Sequence, residues 1–329
     1  MRVLVTGGAG FIGSALVDRL LLDGFEVDVA DDLSTGSLGN LARARADRGT
    51  RRLSFHRLDL RFPSTAELVV RRKPEVIFHL AAPPDGRPSM ARPAVDAEVG
   101  ILGTIHMLQG ALSAGTAKIV FASSGAIYGP PDDVPVREGH PQRPETPAAV
   151  VKKSVVDYLH YYRQVHGLEY TALVLADVFG PRQRADSGVV STVAAKLVAK
   201  ERPSLPGDGS QTRDFLYVDD AVDAFIRAID HAGGLSINVG TGVETTLLDL
   251  HDAMARMVNI TDPPRFAPAA GDPAGNDHLP RFALDPGRAA IHLGWKPETP
   301  FDEGLARTVE WHAEEFRTAR RAPRATPSR

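Results

Sequence analysis

The feature that most narrows the fold lies at the start of the chain. Residues 2–6 (Arg-Val-Leu-Val-Thr) are a short apolar, β-branched run, the pattern of a strand buried on both faces. Glycines follow at 7, 8, 10 and 13. Apolar residues at helical spacing come next, Ile12, Leu16, Leu20 and Leu21, and stop at Gly24, a residue suited to a helix end. Gly8, Gly10 and Gly13 therefore spell G-x-G-x-x-G between a strand and a helix. Such glycines permit a tight turn and a close approach of backbone to a pyrophosphate. The helix N-terminus adds unpaired N–H groups and the positive end of its dipole. A second strand is read at 26–30, and Asp31 closes it, 18 positions after Gly13. An acid at about that distance binds the adenosine ribose hydroxyls and repels a 2′-phosphate. The expected cofactor is NAD in preference to NADP. Arg43 and Arg45 lie too far along the next helix to reverse this.

Strand and helix patterns go on alternating. Strands are read near 53–58, 75–80, 118–122 and 170–175, and helices near 64–72, 95–113 and 148–165. That alternation predicts an α/β protein with a Rossmann-type, doubly wound parallel sheet. Residues 129–147 form a long, proline-rich loop, of a kind that often carries function. Beyond about 175 the segments shorten, with helices near 189–200, 218–230, 247–258 and 301–316. The expected organisation is an NAD-binding domain over 1–175, its sheet completed by later segments. A smaller, interleaved C-terminal α/β substrate lobe spans 176–319, and a flexible basic tail spans 320–329.

Composition removes several function classes. The 329 residues allow about two domains. Lys plus Arg is 38 against 41 Asp plus Glu, a formal charge of −3, which excludes a wholesale basic footprint for nucleic acid. There is no cysteine. Disulfide scaffolds, Cys-ligated zinc, iron–sulfur clusters and thiol nucleophiles are thereby excluded, and no metal site is expected. No apolar run approaches the roughly 18 residues of a membrane span, and no small-residue cleavage site follows the N-terminal glycines. The reading is a soluble cytoplasmic protein with no nucleic-acid or membrane partner.

Seven motifs occur in order: TGGAGFIG (6–13), DDLSTG (31–36), FHLAA (78–82), SSGAIYG (123–129), GDGSQTRDF (207–215), NVGTG (238–242) and LGW (293–295). Together they resemble the extended short-chain dehydrogenase/reductases, in particular the nucleotide-sugar epimerases and dehydratases, with UDP-glucose 4-epimerases the nearest in pattern. The resemblance implies bound NAD, a UDP- or dTDP-sugar between the two lobes, and a homodimer packed through helices at about 95–113 and 148–166. It assigns cofactor contacts to Gly7, Gly10, Phe11 and Ile12 in the turn. Asp31, Asp32, Ser34 and Gly36 follow in the next loop, and Asp59 and Leu60 lie toward the adenine. Leu80, Ala81 and Ala82 line the cofactor's path, and Lys152 binds the nicotinamide ribose. Substrate contacts fall on Ser89, Ser124, Asp177, Val189 and Arg213. Arg213 grips the sugar diphosphate, a task suited to a guanidinium fork; its other reading is a surface ion pair with Asp214 or Asp208.

The chain also departs from the family pattern. In the family a Tyr stands four positions before the Lys, so that both share one helix face. That Tyr takes the sugar's hydroxyl proton as a hydride passes to NAD. Here the position is Ala148, and counting from Lys153 gives Ala149. Gly100 stands where an Asn is usual, and Asp177 replaces the Asn of N-V-Y-G. An Arg expected before Gly271-Asp272 is missing around Ala269-Ala270. Candidates to move the proton are Lys152, Asp85, Tyr128 and Asp177, with Ser124 assisting. His79 reads as a satisfied core residue. Three readings stay open: an epimerase-like enzyme with a divergent proton-handling site, an NAD- and nucleotide-sugar-binding protein with weak or no turnover, and a keto-sugar reductase. A dehydratase is disfavoured, because Gly125 and Ala126 cannot carry a proton.

Overall fold

The computed structural model describes residues 1–46, 52–82, 87–267 and 280–321. Six strands and their crossovers build the first half. The strands are β1 (Arg2–Thr6), β2 (Glu26–Asp31), β3 (Leu53–Arg57), β4 (Val76–His79), β5 (Lys118–Ser124) and β6 (Glu169–Leu175). The helices are α1 (Phe11–Leu22), α2 (Ala42–Ala46), α3 (Ser64–Arg72), α4 (Arg87–Ala91), α5 (Pro93–Asp96), α6 (Gly103–Ala114) and α7 (Pro147–His166). Later come short β7 (Asp177–Phe179), β8 (Ser204–Pro206), β9 (Thr212–Arg213) and β10 (Phe215–Tyr217), then β11 (Leu235–Val239). Helices α8 (Val189–Val198), α9 (Val218–Arg227), α10 (Leu247–Met257), α11 (Gly287–His292) and α12 (Phe301–Arg321) complete the described chain.

All seven strands of the main sheet run parallel, in the order β11-β6-β5-β4-β1-β2-β3. The direction of winding reverses at β1, as in a doubly wound Rossmann sheet. Alternate residues face opposite layers. Val3, Val5, Val29, Phe78 and Val120 pack with α1 and α9, while Leu4, Ile77, Ile119 and Phe121 pack with α3, α6 and α7. Both faces being covered explains why the strands read as continuous apolar runs.

The lobe after residue 175 is interleaved with this sheet. β11 returns to pair with β6, whereas β7 pairs with β10 and the two-residue strand at 245–246 pairs with β9. Trp295 is buried and its indole donates to the Asp220 carbonyl at 2.9 Å, tying α9 to the segment before α12.

Two expectations need correction. The single helix read at 95–113 is divided: a π-helical stretch over Ala97–Leu102 separates α5 from α6. The Thr104 hydroxyl bonds the Gly100 carbonyl inside it, diverting a backbone acceptor. At the other end, helix α12 continues to Arg321, past the boundary drawn for the tail; residues 322–329 lie outside the described chain. Among the described residues no helix is long and apolar enough to cross a membrane.

Candidate active site

The glycine turn after β1 is close-packed. Gly7 has φ +70°, and a Cβ there would lie 2.8 Å from the Ala81 amide nitrogen. A Cβ on Gly13 would lie 2.2 Å from the Gly7 carbonyl oxygen. Neither position accepts a side chain without moving backbone. Helix α1 starts at Phe11 with Gly10 as its N-cap, and no side chain caps it. Its first N–H groups and dipole end are thus left for an anion.

Asp31 stands beside this turn, 7% exposed. Its carboxylate accepts the Ala9 N–H at 2.9 Å and the Leu33 N–H at 2.8 Å. Burial raises its pKa, and the two amide bonds work against that rise. Gly36 backs the same group, since a Cβ there would come within 2.9 Å of the Asp31 Oδ1. Gly36 therefore packs closely against Asp31 and the Ala9 carbonyl.

A cleft runs from here across the C-terminal ends of the strands. Its wall brings together Gly7, Gly10, Phe11, Ile12, Asp31, Asp32 and Ser34 at one end. Asp59 and Leu60 flank them after β3, Leu80, Ala81 and Ala82 follow β4, and Lys152 reaches in from α7. Asp59 is held by Arg61 at 2.6 Å, and that bond lowers its pKa. The cleft also includes residues that the motifs did not single out: Thr35, Val99, Ser123 and Leu175. Position at the end of a strand was the available signal for the last two.

Behind this wall runs a directed chain of hydrogen bonds. The Ala81 N–H donates to the Thr6 hydroxyl at 3.3 Å. The Thr6 hydroxyl lies 2.8 Å from His79 Nδ1, and His79 Nε2 lies 2.9 Å from the Thr104 hydroxyl. Thr104 donates its own proton to the Gly100 carbonyl, so it must accept from His79. Nε2 therefore carries a proton, and because burial keeps the ring neutral, Nδ1 is the acceptor of the Thr6 hydroxyl. Complete burial lowers its pKa from 6.5 to about 4. A folded pKa below the unfolded value means that stability is whole above about pH 6.5 and falls as the pH drops toward 4. The shift corresponds to about 3 kcal/mol. His312, also lowered to about 4 by burial, adds in the same window. Urea unfolding followed from pH 7 to pH 4 should record the loss, reduced in His79→Gln; a pH-independent stability would contradict it.

The remaining predicted residues divide. Ser124 is half-buried, and its hydroxyl accepts the Ala126 N–H at 3.2 Å. Tyr128 is 1% exposed and donates to Asn238 Oδ1 at 2.8 Å. Desolvation pushes its pKa up, so the structure removes it from the proton-handling candidates. Ser89 is fully buried, accepts the Ala148 N–H at 3.1 Å and donates to Asp96. It caps the first turn of α7 together with Thr146, which accepts from Ala149. That is a helix-capping role in place of the expected substrate contact. Asp85 and residues 269–272 lie outside the described residues.

Ala148 is 2% exposed at the start of α7, one turn before Lys152. Arg213 is buried; its Nη1 donates to the Thr212 carbonyl at 2.7 Å and its Nε lies 3.9 Å from the Asp177 carboxylate. The expected alternative partners are otherwise engaged. Asp214 accepts from Thr241, Gly242 and Leu284, and Asp208 accepts from the Ser210 N–H. Val189 opens α8 and packs, partly buried, on the main core.

A doubly wound parallel sheet with a glycine cradle, a strand-end acid and a cleft leading to a lysine defines a Rossmann-type dinucleotide enzyme fold. Residues 3–240 match the NAD dependent epimerase/dehydratase family, and the chain belongs to it. It is 43% identical over 316 residues to the UDP-glucose 4-epimerase of Mycolicibacterium smegmatis, covering 94% of this chain and 98% of that protein. Among solved structures it resembles the Thermotoga maritima UDP-glucose 4-epimerase with UDP-glucose. That likeness has a TM-score of 0.90 and 34% identity, over 96% of this chain and 100% of the other. The Thermus thermophilus UDP-glucose 4-epimerase complex with NAD gives a TM-score of 0.86 and 34% identity, over 95% and 99% of the two chains.

Proposed function

We propose that this chain is an NAD-dependent enzyme that modifies a nucleotide-diphosphate sugar by epimerase-type hydride transfer. The observation that carries the reading is the glycine cradle at 7–13, with Asp31 beside it and a cleft leading to Lys152. The residues present fit NAD, since the cradle leaves no room for a Cβ at Gly7 or Gly13. NAD supplies the hydride acceptor when bound. The chain's own residues do the rest. Asp31 takes the adenosine ribose hydroxyls and disfavours a 2′-phosphate, and Lys152 holds the nicotinamide ribose. The lobe over 176–319 receives a UDP- or dTDP-sugar; the UDP-glucose held by the Thermotoga maritima relative supports the first. A cytoplasmic location accompanies this reading.

A homodimer through the helical segment at about 95–113 and α7 is supported by an exposed apolar stripe on α7. Val150, Tyr158, Tyr161 and Val165 are 46%, 36%, 51% and 57% exposed, at spacings that share a helix face.

Calorimetry with NAD and NADP tests the cofactor reading. Wild type should prefer NAD, and Asp31→Ala should lose roughly 10–100-fold in NAD affinity, as for charge-assisted hydrogen bonds, while narrowing the gap to NADP. Equal wild-type affinities for the two would contradict it. One observation favours a second reading, binding with weak turnover: the side chain at Ala148 holds no proton acceptor.

A further inference from the structure

Ser123 is the penultimate residue of β5 and stands on the cleft wall. It is 2% exposed, and its hydroxyl oxygen has no hydrogen-bond partner among the described residues. No other residue on the described cleft wall carries such an orphaned buried side-chain atom. A hydroxyl buried without a partner is costly, and buried polar groups are nearly always satisfied. An orphan on the wall of a ligand cleft points to a partner that the ligand brings.

The pleat and the sheet order say which part of the ligand that is. Phe121 packs with α6 and α7, and Ala122 packs with the opposite layer. Ser123 alternates back to the α7 side, the side from which Lys152 enters the cleft. Along the cleft, the glycine turn after β1 fixes the pyrophosphate, and Asp31 after β2 draws the adenosine half toward β2 and β3. β5 lies two strands from β1 in the opposite direction, about 10 Å away at ordinary strand spacing. That distance suits the other half of a dinucleotide.

We propose that the Ser123 hydroxyl hydrogen-bonds the nicotinamide-riboside half of the bound cofactor, beside Lys152. The assignment rests on the NAD reading above and adds a contact which the motifs gave to neither cofactor nor substrate. Ser124 next to it is already engaged by the Ala126 N–H.

Calorimetry of wild type and Ser123→Ala with NAD, ADP-ribose and ADP tests it. ADP carries the adenosine and pyrophosphate contacts alone, so its affinity should be unchanged in the variant. NAD affinity should fall roughly tenfold, the effect of one lost hydrogen bond in a buried site. A matching fall for ADP-ribose places the bond on the ribose, and a fall for NAD alone places it on the nicotinamide amide. Unchanged NAD affinity in the variant would overturn the assignment, and so would an equal loss for ADP, which marks a general disturbance of the cleft. Wild type that binds none of the three overturns the NAD reading and this assignment together, an outcome distinct from a loss confined to the variant.

Discussion

Replacing Ala148 with Tyr should raise the interconversion of UDP-glucose and UDP-galactose by roughly 10²–10⁴-fold, the usual contribution of a positioned acid or base. The reason is geometric. Ala148 lies in the first turn of α7, four residues before Lys152, which reaches the cleft. Residues so spaced share a helix face, so a phenol at 148 projects along the face that carries the lysine. The turn is anchored from two sides, by Ser89 on the Ala148 N–H and Thr146 on the Ala149 N–H, and the new side chain would start from a fixed backbone. Ser124 does not supply the missing group, because an unassisted hydroxyl is a weak base and this one already caps Ala126. Steady-state assays of both proteins with either sugar measure the effect. Fast wild-type turnover with no gain in the variant would mean that another residue moves the proton.

The second large effect is on cofactor binding. A Cβ at Gly13 would sit 2.2 Å from the Gly7 carbonyl oxygen, with Gly7 carbon and Gly8 Cα both at 2.9 Å. Every neighbour in the way is backbone, so Gly13→Ala must displace either the turn or the start of α1. Overpacking of this kind costs about 1–3 kcal/mol. Because it falls on the turn proposed to meet the pyrophosphate, it should weaken NAD binding by about 10–100-fold. Calorimetry with NAD and urea unfolding of the same variant separate loss of binding from loss of fold. Affinity equal to wild type would show that the turn does not carry the cofactor.

The sequence was most informative where one local pattern determines one local structure. The strand–glycine–helix run placed the cradle, and the apolar runs placed the sheet, because strands buried on both faces have no polar alternation to obscure them. Helix α7, read at 148–165, runs from Pro147 to His166, and the caps that set its ends are Thr146 and Gly167. Side-chain direction was not legible. Tyr128 stood in a functional motif, yet its partner Asn238 is 110 positions away. Ser89 matched a substrate position, yet it caps a helix 59 positions on. The pairing of Asp177 with Arg213 joins two residues read separately as substrate contacts. Of the adjacent serines, the motif pointed to Ser124 and gave no sign that Ser123 lines the cleft. A two-residue period at a strand end shows which layer each faces only when the sheet is in view.

A single-turnover experiment separates a missing proton acceptor at position 148 from a redistributed one. NAD-saturated protein is mixed with a UDP-sugar, and the absorbance of enzyme-bound NADH is followed with time. NADH should form slowly in wild type and roughly 10²–10⁴-fold faster in Ala148→Tyr, with the sugar nucleotide bound in both. Rapid NADH formation in wild type, or none in either protein despite bound sugar nucleotide, would contradict this expectation.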